Sequence, residues 1–441
     1  MAPRQRNQVD PRDRRDLRLR NRSGIAGAKD GVPNMHWPAI PLDEIQARVR
    51  SALAGNTSFD ADTMLGFPAS VLDSRVFPPE PTMMSHAWLT VLQSNPNHIG
   101  CHTTGASEHA FGGTHELERD LLRICAEEIL NAEPEGWDGY VASGGTESNL
   151  QAMWTHRNEL RDGHGVDVSK MAILCSEDTH YSIDKAADVL GLRLVSLPVG
   201  EWDRAIDPQA VHAAAAQLVA DGVKAVLVVL NLGTTMFGSV DDPEVVLPVL
   251  LEAGLTLRVH VDGAFGGFLF PFTAPDNRLS FADPRIDSFT LDGHKMLQAP
   301  YGTGIHLIRA GRIQYATTPG ATYVPGADCT LIGSRSGSNA VAVWMILMAH
   351  GSDGGRALCQ QLCDRTTHLH SALTQLGVRT YRRADMNIVA VRIEDLPNRV
   401  MDKHMLVPDR HDDTATWAKI IVMPHVTDAH IDTLCEDIAS R

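Results

Sequence analysis

One lysine, Lys295, stands directly after a histidine in DSFTLDGHKMLQAPYG, behind the alternating run Ser288, Phe289, Thr290, Leu291. The chain uses lysine sparingly, seven against thirty-two arginines, so surface cation duty already falls to arginine. The alternation predicts a strand, and its exit is an expensive place to desolvate an ammonium. An amine held there is a nucleophile toward a carbonyl; a lysine snorkelling to the surface is the plainer reading. Three other stretches bear on the choice. In GYVASGGTESNLQAMW a strand gives way through Ser143-Gly144-Gly145-Thr146 to a helix, where backbone amides and the helix N-terminus suit an anion. The Walker lysine and the GxGxxG order are both missing, which argues against a nucleoside triphosphate or a dinucleotide. In LRVHVDGAFGGF, Asp262 ends a strand ahead of Gly263 and Ala264, either facing a ligand crevice or closing a turn. In SEDTHYSIDK, His180 follows a strand and opens a helix, either stacking on a planar ligand or capping.

Taken together the four suit one cofactor. An aldehyde needs an amine (Lys295), and a phosphate needs an anion site (Gly145, Thr146, His294). A ring nitrogen that must stay protonated needs a fixed carboxylate (Asp262). A flat ring needs a stacking partner (His180) and a small residue on its other face (Ala264). Pyridoxal 5'-phosphate has all these parts.

Such a site needs a sheet to carry it. From Tyr140 onward, apolar β-branched runs (MAILCS, LRLVSLPV, VKAVLVVLNLG, LTLRVHVDGA, SFTLDG, GTGIHLIR) alternate with helix-period stretches. That rhythm predicts an α/β domain with a mostly parallel sheet. Before it, helices are expected over 41–55 and from about Glu116 to Leu130. After it come a long helix from about Asn339, two strands (NIVAVRI, AKIIVMP) and a last helix from about Asp428. The expected division is an N-terminal arm and segment over 1–90, packing on a partner subunit, a large cofactor-binding domain over 91–340, and a long linking helix with a small α+β domain over 341–441.

The 441 residues carry a net charge of −15, which argues against nucleic acid as the main partner. The first 30 residues differ, with eight Arg and one Lys against four Asp. No apolar run approaches the roughly 20 residues of a membrane span. Seven cysteines without CxxC spacing suggest a reducing, cytoplasmic setting. His98, His102, His109 and His115 fit no standard zinc spacing, and no metal is expected.

The segments SGGTESN, THYSIDKAA, LNLGTTMFGSVDD, HVDGAFGGF, LDGHK and IGSRSG, in that order, resemble the group II pyridoxal-phosphate-dependent amino-acid decarboxylases. KHMLVPD and IIVMPHVT look most like bacterial histidine and plant serine decarboxylases; HVDGAFGGFLFPF and DKAADVLGL look equally like archaeal tyrosine/aspartate decarboxylases and sphingosine-phosphate lyases. The resemblance implies the aspartate-aminotransferase-like (type I) fold and a carboxy-lyase that converts an L-amino acid to its amine and CO2. It implies Lys295 as Schiff-base lysine, Asp262 as pyridinium partner, His180 stacked on the ring and Ala264 beneath it. Gly145, Thr146 and His294 would hold the phosphate, with Thr235 near the cofactor's polar edge. It further implies a homodimer with its sites at the interface, Ser334 reaching the neighbouring subunit's phosphate, Tyr323 as a candidate proton donor, and His98 in the substrate pocket. A carbon–carbon lyase, an aldehyde synthase or an aminotransferase on the same fold are the rival activities. Where the family commonly has Asp-Ala-Ala, this chain has Asp262-Gly263-Ala264.

Overall fold

The computed structural model describes residues 35–56, 86–105, 108–274, 276–321 and 328–440. The Arg-rich N-terminal arm and Tyr323 lie outside them. Helix α1 (Leu42–Ala54) turns Ile45 and Val49 inward, as their spacing predicts. It packs with α2 (Ala87–Ser94) and α3 (Gly112–Arg123), and α3 runs on through a wider π turn over Ile124–Ile129.

The centre is a seven-stranded sheet ordered β1-β7-β6-β5-β4-β2-β3. Its strands are β1 (Trp137–Ala142), β2 (Met171–Ser176), β3 (Arg193–Leu197), β4 (Ala225–Asn231), β5 (Thr256–Asp262), β6 (Ser288–Asp292) and β7 (Gly304–Arg309). Strands β3, β2, β4, β5 and β6 run parallel, while β7 is antiparallel to both its neighbours. β2, β4 and β6 are buried along their whole lengths because helices cover both faces, which is why they read as continuous apolar runs. The crossovers include α4 (Gly145–Asn158), α5 (Ser182–Leu190), α6 (Pro208–Ala220) and α7 (Pro243–Glu252). The last two start alike: Asp207 and Asp242 accept from the amides of Gln209 and Glu244, with proline at the first helical position.

Helix α8 (Gly337–Gln375) is interrupted at Gly351, whose φ is 60° and whose added Cβ would stand 2.4 Å from the Ala39 amide. Beyond it lies a small separate antiparallel sheet, β10-β11-β9-β8, in which β9 (Ile388–Arg392) and β11 (Trp417–Ile421) are the predicted strands. Two-residue β8 (Thr380–Tyr381) and β10 (Val407–Pro408) were too short to register as patterns. Helix α9 (Asp428–Ala439) closes the chain with a capping box at Thr427 and His430.

One buried ion pair ties this frame to the site. Glu118 on α3 receives Arg335 at 2.5 Å, the Val141 amide of β1 at 2.8 Å and His98 Nδ1 at 2.6 Å. Burial pushes the Glu118 carboxyl up, but Arg335 and His98 outweigh it and hold it well below the usual range. Removing one partner strands a buried charge. Glu118→Ala should therefore cost about 3–5 kcal/mol in denaturant unfolding; an unchanged midpoint would show the pair to be energetically idle.

Candidate active site

β5 and β6 deliver their C-terminal residues to one crevice, opposite the start of α4. Asp262, the last residue of β5, is buried and pinned on both oxygens: Oδ1 accepts from the Ala264 amide at 3.1 Å, Oδ2 from Asn149 Nδ2 at 2.8 Å. Lys295 lies in the turn after β6, with its Nζ 3.3 Å from Asp292 Oδ2. Both line a cavity of about 320 Å³ together with Ser143, Gly145, Thr146, His180, Thr235, Ala264 and His294. Of the eleven positions singled out from sequence, eight therefore share one cavity: Gly145, Thr146, His180, Thr235, Asp262, Ala264, His294 and Lys295.

The phosphate turn is held from beneath. Glu147 accepts from both the amide and the hydroxyl of Ser143 at 2.6 Å, and Tyr140 donates to it at 3.1 Å. A Cβ on Gly145 would come 2.9 Å from Asp292 Oδ2 and 3.3 Å from the Ala264 methyl, so only glycine leaves this floor open. His294 Nδ1 is buried beside the turn without a hydrogen-bond partner. The cradle, the helix start and the unpaired imidazole nitrogen fit a small phosphorylated ring. His180 Nδ1 is engaged by the Ser182 hydroxyl at 2.9 Å and the Ser182 amide at 3.2 Å. Burial lowers its pKa, against the pull of Asp262 and with the push of Lys295, Lys185 and Lys419.

Of the other three, two fall elsewhere and one is not described. Ser334 is exposed and accepts from Asn97 at 3.1 Å, outside the cavity. Tyr323 lies outside the described residues. His98, expected in the substrate pocket, is fully buried away from the cavity, its ring nitrogens taken by Glu118 at 2.6 Å and Thr114 at 2.8 Å. Its polar partners come from α3, which no local pattern around Asn97-His98 announces. The fold does bring His98, His102 and His115 together, with possible ligand atoms within 4.8 Å of one another. Yet His102 and His115 stack face to face at 3.5 Å, so their lone pairs run side by side rather than converging. Arg335 also puts a guanidinium nitrogen 3.4 Å from His102, which opposes a second cation. We assign no metal there.

Sequence reading passed over Asp292, Asn149 and Lys419. Asp292 sits three residues before Lys295 at the strand's end, a spacing that a search for the lysine's counter-ion would have caught. Burial, aided by Asp262 and opposed by Lys295, pushes its carboxyl up to about 6. Lys419 reaches from β11 and donates to the Thr235 carbonyl at 3.0 Å, bringing a cation from the small sheet to the cavity rim. Only the tertiary fold reveals it.

Residues 115–386 match the pyridoxal-dependent decarboxylase conserved domain. The chain is 38% identical over 403 residues to a tryptophan decarboxylase of Clostridium sporogenes, covering 91% of this chain and 97% of that enzyme. It is 31% identical to a probable L-tyrosine/L-aspartate decarboxylase of Methanothrix thermoacetophila, over 74% of this chain and 82% of the relative. Among solved structures, L-methionine decarboxylase from Streptomyces sp. 590 superposes with a TM-score of 0.67 at 22% identity, covering 90% and 93% of the two chains.

Asp292 gives a pH test. Its folded value, about 6, lies above the ordinary 3.8, so its contribution to stability is complete only below that ordinary value and is lost as pH rises through about 6. The melting temperature of cofactor-free Asp292→Asn, relative to the parent, should rise between about pH 4 and 6 and level off above that. A difference flat across that range would mean the carboxyl stays ionised and paired throughout.

Proposed function

The chain belongs to the pyridoxal-dependent decarboxylase family and decarboxylates an L-amino acid, and from that premise we propose that its substrate is a large aromatic one, L-tryptophan first. The observation that carries the choice is a second cleft, of about 730 Å³, that opens off the cavity and shares His180, Tyr181 and Thr235 with it. Met236, Phe237 and Trp417 line it among charged side chains, with Arg204 over the Phe237 ring at 3.9 Å and Arg392 over the Trp417 ring at 4.9 Å; the two rings meet edge to face at 5.8 Å. An indole side chain extending from the reacting carbon would bury more area there than an imidazole or a carboxylate would. The 38% identity to an enzyme named tryptophan decarboxylase supports the same choice.

When bound, pyridoxal phosphate supplies the electron sink that accepts the bonding pair of Cα–carboxylate as CO2 departs. The chain's own residues divide the remaining tasks in this reading. Lys295 is the covalent anchor and yields its place to the substrate's amine. Asp262 holds a proton at the ring nitrogen; its two fixed oxygens support that role, since a carboxylate already oriented costs no reorganisation when charge develops. His180 and Ala264 clasp the ring, and Gly145, Thr146 and His294 receive the phosphate. Lys295 or His180 returns the proton to Cα; Tyr323 is a third candidate. Thr235 lies at the polar edge, its carbonyl tied to Lys419.

The same reading takes the enzyme to be a homodimer in which Ser334 serves the neighbouring site, supported by that hydroxyl's exposure outside its own cavity. The expected three-part division stays with it: the arm over 1–90 on the partner, the large unit over 91–340 and the remainder beyond. All seven cysteines are free, which suits the cytoplasm.

Two measurements test the reading. Purified holoenzyme should be yellow, and borohydride should abolish the absorbance band in the parent; Lys295→Ala should be colourless and without measurable CO2 release. Amine and CO2 should then be measured with Trp, Tyr, Phe, His, Ser, Met, Asp and Glu. Tryptophan should exceed the polar substrates in kcat/KM by at least about tenfold, the equivalent of roughly 1.4 kcal/mol. A preference for His, Asp or Glu would overturn the choice, and aldehyde or keto acid in place of amine would favour a rival reaction.

A further inference from the structure

Behind Asp262 the core between α4 and the sheet is not apolar. His260 and Asp262 face the same side of β5, and Ser288 and Thr290 are their register partners on β6. α4 lays Asn149 and His156, two turns apart, over them. All are buried. The contacts form a line: Asn149 Nδ2 to Asp262 Oδ2, 2.8 Å; His260 Nε2 to Asn149 Oδ1, 2.9 Å; Ser288 Oγ to His260 Nδ1, 2.8 Å; His156 Nε2 to Ser288 Oγ, 2.7 Å.

The direction of every hydrogen follows from one end. A carboxylate only accepts, so Asn149 must turn its NH2 to Asp262 and its carbonyl to His260. His260 Nε2 must then carry the proton, leaving Nδ1 to accept from the Ser288 hydroxyl. That spends the only proton on Ser288, which therefore accepts from His156 Nε2–H. Burial, with His156 and His306 adding to it, pushes the His260 pKa well down, as a neutral donor–acceptor ring requires. Asn149 also donates to Ser182 Oγ at 2.9 Å, and that hydroxyl serves His180 Nδ1. At the far end, His156 Nδ1 faces Glu159 at 3.8 Å, a carboxylate gripped by Arg258 and Arg312.

We propose that His156, Ser288, His260 and Asn149 form a proton-ordered relay whose task is to fix the Asp262 carboxylate as an acceptor for a ring N–H. A branch of the same relay orients His180. His260, Ser288 and His156 are positioning residues: they act through Asn149 and touch no reactant. Volume-matched apolar side chains would fill this layer without the cost of burying five polar groups, so the arrangement calls for a use beyond packing. A chain of bonds in which each donor points the same way polarises cooperatively toward its terminal acceptor, here Asp262.

The inference rests on Asp262 facing the ring nitrogen, as proposed above, and the test separates the two. Apo-protein is titrated with pyridoxal phosphate and with its carbocyclic analogue, in which C–H replaces the ring nitrogen. The parent should favour pyridoxal phosphate by about ten- to a hundredfold, the range for a hydrogen bond to a charged group. A parent that binds both equally overturns the Asp262 assignment itself. Given parental discrimination, His260→Leu should cut the ratio to about threefold or less, and His260→Gln, which keeps an N–H donor, should restore most of it. Ser288→Ala, missing a single hydroxyl, carries the same test with an intermediate ratio should the leucine variant fail to fold. Loss of affinity for both compounds with the ratio unchanged would reduce these residues to structural filling and overturn the relay.

Discussion

A carboxylate buried at the C-terminal end of β5 is the constraint around which this molecule is arranged. Left alone, a buried carboxylate is costly; here each Asp262 oxygen has a donor, one from the turn that follows the strand and one from the helix above. The Asn149 bond ties the end of β5 to α4, the helix that begins at the Ser143–Thr146 turn. The parallel order β4-β5-β6 then pairs Asn231 with Asp262 at the ends of β4 and β5 and leaves Asp292, the last residue of β6, two residues beyond Thr290, the partner of Asp262. The cavity is a consequence of strand register.

The charges inside it are unevenly matched, and that suits a site built to receive a charged ring. Two carboxylates, Asp262 and Asp292, share the neighbourhood with Lys295, and burial together with the Asp262 charge makes ionisation of Asp292 harder. A second ammonium, Lys419, enters from the small sheet and is pushed down by burial and by Lys295. Cofactor binding brings a phosphate and a ring cation into this set. In the proposed reading the ring cation answers Asp262, and the phosphate meets the helix N-terminus of α4. The protein by itself therefore holds groups whose partners arrive with the ligand.

How much of this was legible beforehand differs by residue. Lys295, Asp262 and His180 announced themselves because each stands at a boundary between an apolar run and a small-residue turn, and such boundaries fall at sheet edges. The strands of the central sheet were legible for a related reason: both faces are covered, so burial is written as uninterrupted Val, Ile and Leu. His98 was expected in the substrate pocket through the family resemblance, and nothing in its own segment shows that its partners Thr114 and Glu118 stand on α3, 16 and 20 positions on. Asp292 was passed over beside a more conspicuous lysine. Lys419 carried no signal at all, because its meaning lies in a carbonyl 184 positions upstream.

The sequence by itself determined the alternation that makes the sheet, the glycine floor of the Ser143–Thr146 turn and the place of Lys295 at a strand exit, since these depend on side-chain volume, period and backbone freedom within a few residues. Tertiary structure alone decided which polar groups share the buried layer behind Asp262. His156, His260 and Ser288 are unremarkable in their own segments. They become one line of hydrogen bonds only when β5 and β6 pair in register beneath α4, because a hydrogen bond reaches barely 3 Å and no local pattern encodes which distant atom will stand at that range.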